Sequence, residues 1–73
     1  MAQVAVIGEP ARMQGFTLAG ALVYPAENVA QALAAWHSLP ADVAVAVLTP
    51  DAARALGEAL TARTAPLTVV MPP

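Results

Sequence analysis

VAVAVLTPD, residues 43–51, decides the fold. Valines are expected on one face and small alanines mostly on the other, so both faces of the run are apolar. A strand with two apolar faces needs cover on both sides, which is the environment of a parallel sheet. The next three residues spell a helix start. Thr49 offers a capping hydroxyl, Pro50 suits the first helical position, and Asp51 places an acid at the positive end of the helix dipole. A buried strand running directly into a helix is half of a βαβ unit.

The same alternation extends outward in both directions. Residues 3–7, QVAVI, form a short strand that stops at Gly8. Glu9 and Pro10 begin a helix expected to reach residue 19, with Gly20 as its stop. Met13, Phe16 and Gly20 share one face of it. Residues 21–24 form a second strand, closed by Pro25. Residues 26–39 form a helix in which Val29, Leu33 and Trp36 recur at i, i+4 and i+7, and Pro40 ends that unit. After the Thr49 cap, Ala53, Leu56 and Leu60 line the inner face of a third helix, with Arg63 near its negative end. Pro66 precedes the last strand, residues 67–71, and Pro72 and Pro73 follow it.

The pattern βαβαβαβ predicts a single small α/β domain with a parallel sheet and right-handed crossovers. The expected strand order is 2-1-3-4, a truncated flavodoxin-like, Rossmann-like three-layer sheet. In that order the first crossover runs opposite to the other two. Its helix covers one face alone, and the other two helices share the second face. One short helix cannot cover four strands, so the surface over strands three and four is expected to stay partly bare, with strand four an open edge.

Composition points the same way. The 73 residues are 59% hydrophobic and only 11% charged. A domain of this size buries only about 60% of the surface its unfolded chain exposes. Apolar surface is therefore left outside, as on proteins that dock onto partners. The net charge is −2, with three arginines and no lysine. That disfavours nucleic acid and anionic membrane surfaces, which need clustered positive charge. Without cysteine there are no disulfides, thiolate metal sites or cysteine nucleophiles. No uncharged run reaches the roughly 20 apolar residues of a membrane span. The N-terminus has no basic region ahead of an apolar run, so a secretory signal is not expected.

The loop after strand one, residues 8–12, is the default ligand position in a doubly wound sheet. It lacks both the GxGxxG fingerprint and the Gly-Lys-Ser/Thr of a phosphate loop, and Glu9 repels phosphate. A phospho-accepting receiver needs an aspartate ending strand three and a later lysine. Thr49 stands at that end and the chain has no lysine. Glu9 and Asp51 can approach each other across the carboxyl edge of the sheet, but they read first as a turn residue and a helix-start acid. His37 and Ser38 read as helix-end residues, Trp36 as core, and Asp51, Arg54 and Glu58 as a solvated helix face. No catalytic residue, cofactor or metal ligand is expected.

Val4-Ala5-Val6-Ile7-Gly8, an acidic turn, and then Gly15-Phe16-Thr17-Leu18-Ala19-Gly20 resemble the N-terminal domain of the F subunit of V-type and A-type rotary ATPases. The family pattern is a strand ending in "IG" followed by "GF-x-LAG". The resemblance spans residues 1–73 but only the first part of the family's chain. The family's C-terminal helical segment, which packs along the rotor coiled coil, has no counterpart in these residues. A basic residue often found between the Phe and Leu is Thr17 here.

The resemblance implies a non-catalytic central-stalk subunit that contributes to coupling or regulation of ATP turnover and ion transport. It implies partnership with the rotor's D subunit and other ATPase subunits, and a cytoplasmic position peripheral to a membrane complex. Gly15, Phe16, Leu18, Gly20, Val69 and Met71 are the interface candidates, with Gly15 permitting close approach and Phe16 acting as an apolar anchor. Two other readings stand beside it. One is a stand-alone domain that forms a homodimer through its open edge; the other is a small-ligand or phosphate-sensing domain acting at residues 8–12.

Overall fold

A computed structural model of the chain describes residues 3–12, 20–62 and 66–72. Four strands form one parallel sheet: β1 (Gln3–Gly8), β2 (Leu22–Pro25), β3 (Val43–Leu48) and β4 (Leu67–Val70). Their order is β2-β1-β3-β4, as the alternation predicts. Two α-helices are described, α1 (Val29–His37) and α2 (Pro50–Leu56). A single 3-10 turn, Pro10–Arg12, follows β1. The remainder of the helix expected up to residue 19 lies outside the described residues. Gly20 takes a left-handed φ of 79°.

The register separates the two faces of the sheet. Ala5, Ile7, Leu22, Tyr24, Ala46 and Leu48 pack with Trp36, Leu56 and the alanines of α1 and α2 in one core. Both helices therefore cover the same face, as expected from the direction of their crossovers. The opposite face carries Val4, Val6, Val23, Val45, Val47, Leu67 and Val69 by alternation. Val6 is fully buried there, but Leu67 is 67% exposed, Val69 49% and Val4 44%. The expected bareness over the β3–β4 side is present.

Three expectations need correction. The valines of β3 do not all share a face. A register shift between Gln3 and Val4 pairs them with Val43 and Val45, skipping Ala44. This bulge reverses the alternation, so Val43 joins the core with Ala46 and Leu48 while Val45 and Val47 face the other way. Helix α1 starts at Val29 rather than residue 26. The Ala26 N–H donates to the Gly8 carbonyl (2.8 Å), which continues the sheet ladder, and Asn28 caps the helix instead. The buried stripe is then Ala32, Ala35 and Trp36, with Leu33 half-buried and Val29 exposed. Finally, α2 ends at Leu56, because Gly57 takes φ 49° and ψ −121°, outside helical geometry. A 3-10 turn, Gly57–Leu60, still brings Leu60 against the core.

Candidate functional site: the carboxyl edge and the open face

At the carboxyl ends of β1 and β3 the crossovers diverge, and two turns meet. Gly8 ends β1 and Thr49 follows β3. A Cβ on Gly8 would overlap the Thr49 methyl and lie 2.7 Å from its hydroxyl oxygen, so only glycine fits. Thr49 is fully buried. Its hydroxyl accepts a hydrogen bond from the Ala52 N–H (3.2 Å), capping α2, and donates one to a Glu9 carboxylate oxygen (2.5 Å). That donated bond is the main reason the Glu9 carboxyl sits below the ordinary carboxylate range. Desolvation opposes it, while a bond to Glu9's own backbone and the charges of Arg12 and Arg54 reinforce it.

Beside this junction lies a cleft of about 160 Å³ between the starts of α1 and α2, lined in part by Glu9, Glu27, Asn28, Asp51 and Ala52. The Asn28 side chain accepts from the Gln31 N–H (2.8 Å), and the Gln31 side-chain oxygen accepts from the Glu27 N–H (2.8 Å). Both bonds satisfy donors that a helix start would otherwise leave open. Glu9 and Asp51 do line one cleft, yet each has another partner: Thr49 for Glu9, and Arg54, in an exposed ion pair, for Asp51. Arg12 donates to the Pro72 carbonyl (2.9 Å). Among the described residues, no three His, Asp or Glu side chains converge as a metal site would need. Three carboxylates around the cleft oppose an anionic ligand, which weighs against phosphate at residues 8–12.

The other sequence candidates fall where helix physics places them. Trp36 is buried in the core. His37 is exposed in the last turn of α1, and the Ser38 hydroxyl donates to the Ala35 carbonyl (3.1 Å) at its end. Among the interface candidates, Val69 is half-exposed, Met71 is partly exposed and Gly20 is exposed. Gly15, Phe16 and Leu18 lie outside the described residues. The structure adds the Gly8–Thr49–Glu9 contact, the Asn28 cap and the outward-facing Leu67, Val70 and Val4. Only Asn28 carried a sequence signal, an Asn three residues before a Gln at a helix start.

The sequence matches no family model and no curated protein. The structure, however, superimposes on the crystal structure of the F subunit of the V-type ATP synthase from Archaeoglobus fulgidus with a TM-score of 0.80. The chain has the fold of that F subunit. The match covers 97% of this chain and 98% of the archaeal one at 22% identity, so the likeness is one of fold. That fold is the small four-stranded parallel sheet with its two helices on one face. No helix among the described residues is long and apolar enough to cross a membrane.

Proposed function

We infer that the chain is a non-catalytic subunit of a V-type or A-type rotary ATPase, acting in the central stalk. There it contributes to coupling or regulating ATP turnover and ion movement. The observation that carries this reading is end-to-end correspondence with the structure of an ATP synthase F subunit, in a chain whose GF-x-LAG segment matches the family pattern. The bare apolar face supports it. Val4, Leu67 and Val69 stand exposed on one side of the sheet, as expected of a domain that is covered only in an assembly. The proposed partner is the long coiled-coil D subunit of the rotor, with the other ATPase subunits around it, and the proposed location is cytoplasmic and peripheral to the membrane complex.

The test is co-purification with the subunits of a rotary ATPase encoded in the same genome, with the D subunit tagged. A stoichiometric complex on size exclusion is the expected result. Absence of a complex with every stalk subunit, from a chain shown folded by circular dichroism, overturns the reading.

A further inference from the structure

The two edges of the sheet are not equivalent. In a parallel ladder, alternate residues of an edge strand turn their N–H and C=O away from the sheet. The Ala26 N–H bonds the Gly8 carbonyl, so in β2 the outward residues are Val23 and Pro25. Pro25 has no N–H to offer, which blunts that edge. The Met71 N–H bonds the Leu48 carbonyl (2.8 Å), so in β4 the outward residues are Thr68 and Val70. Among the described residues nothing bonds these donors and acceptors, and no described strand lies beyond β4. Just beyond the strand the chain carries Pro66, buried in a bend, and the exposed Pro72.

We propose that β4 pairs antiparallel with β4 of a second copy, across a two-fold axis at Val69, giving a continuous eight-stranded sheet. The prolines set this register. The outward window between Pro66 and Pro72 is symmetric about Val69, so Thr68 lies opposite the second copy's Val70 and each pair exchanges two backbone hydrogen bonds. Pro66 and Pro72 bound that window in the chain, and neither has an N–H to extend the pairing beyond it. The Pro72 carbonyl already serves Arg12.

The side chains fit the same register. On the open face Val69 meets its own copy and Leu67 meets Met71. On the helix face Thr68 meets Val70, a pair of β-branched residues that suits adjacent strands. Pairing sets the exposed side chains of Leu67 (67%), Val69 (49%) and Val70 (49%) beside their counterparts along the seam, while the open face of the sheet stays uncovered. Charge favours a second copy over a charged peptide. Residues 64–73 contain no charged side chain, so self-pairing brings no like charges together and a charged strand finds nothing to match. Native edges usually carry such charges to prevent association. Because Pro25 blunts the opposite edge, pairing closes at the dimer instead of growing into a filament.

The contact is small beside the roughly 1,200 Å² of a stable interface, so the dimer is concentration-dependent. Sedimentation equilibrium of the 73-residue chain is expected to show half-dimerisation between about 10 µM and 1 mM. Val70→Pro removes one outward donor without touching the ladder to β3, and is expected to abolish the dimer while leaving the circular dichroism spectrum intact. The native chain has no cysteine, so Val69→Cys reports the register directly. Directly opposed residues at this position lie about 4.5 Å apart in Cα, within disulfide range. Oxidation is expected to cross-link Val69→Cys rapidly and the equally exposed Val4→Cys slowly or not at all. A monomer up to about 1 mM, a dimer that survives Val70→Pro, or equal cross-linking of the two cysteine variants each overturns the proposal.

Discussion

Gly8, Thr49 and Glu9 show how three residues can carry one junction. Adding a single methyl at Gly8 drives it into the Thr49 side chain, which is fully buried. Gly8→Ala is expected to cost about 3 kcal/mol, at the upper end of ordinary overpacking, measured by urea denaturation. Thr49→Ser in that background removes the closest contact but not the hydroxyl at 2.7 Å. The double variant should therefore recover only part of the loss, a coupling that a double-mutant cycle reads directly. The acid side of the junction is tested by pH. Glu9 is held below its ordinary pKa chiefly by the Thr49 hydroxyl, so folding favours its ionised form. Its contribution is fully present above the unfolded value of about 4.3 and is lost as pH falls through the lower folded value. Between pH 7 and 3, the melting temperature of the native chain should fall further than that of Glu9→Gln. The Thr-Pro-Asp helix start is legible in the sequence because capping is local. The Gly8–Thr49 contact is not, because those residues meet only once β1 and β3 are in register.

At the scale of elements, the sequence is most readable where neighbours in the chain are also neighbours in space. Strand existence, strand type and the 2-1-3-4 order follow from alternating apolar runs and proline or glycine breaks, and the structure has them. The helix stripe of α1 is less readable. Large residues at 29, 33 and 36 suggest one inner face, but the space between α1, α2 and the sheet is filled by Ala32 and Ala35 beside Trp36. Small residues permit close packing of the two helices, and hydrophobicity alone underrates them. Two substitutions check this. Ala32→Leu is expected to cost about 1–3 kcal/mol by overpacking, whereas Val29→Ala, at an exposed position, should stay within about 0.5 kcal/mol. The bulge at Ala44 is the other lesson. One skipped residue turns Val43 inward and leaves Val45 and Val47 on the far face, a reversal that strict alternation does not foresee.

For the whole molecule, the deciding property is an imbalance of cover. Two helices share one face of the sheet, while the described residues leave Val4, Leu67 and Val69 exposed on the other. That imbalance is visible in the sequence as topology plus composition, but which surface meets which partner is not, since binding chemistry resides in surface shape that the strand pattern does not encode. The two proposed contacts share Leu67 and Val69 but depend on different groups beyond them and can be separated. Docking onto a rotor partner uses the open face, so Val4→Lys places a charge in it without touching the outward edge of β4. Self-pairing uses the outward N–H groups of Thr68 and Val70, so Val70→Pro blocks it and leaves the open face unchanged. Val4→Lys is expected to weaken capture by the tagged D subunit at least tenfold, about 1.4 kcal/mol, and to leave the self-association constant unaltered. Val70→Pro should do the reverse. Because the open face is apolar, partner binding should also change little when salt is raised from about 0.1 to 0.5 M, a range over which exposed charge pairs are strongly screened. Calorimetry should give it a negative heat-capacity change from apolar burial. A steep salt dependence, or equal sensitivity of capture to both variants, would place the partner on another surface.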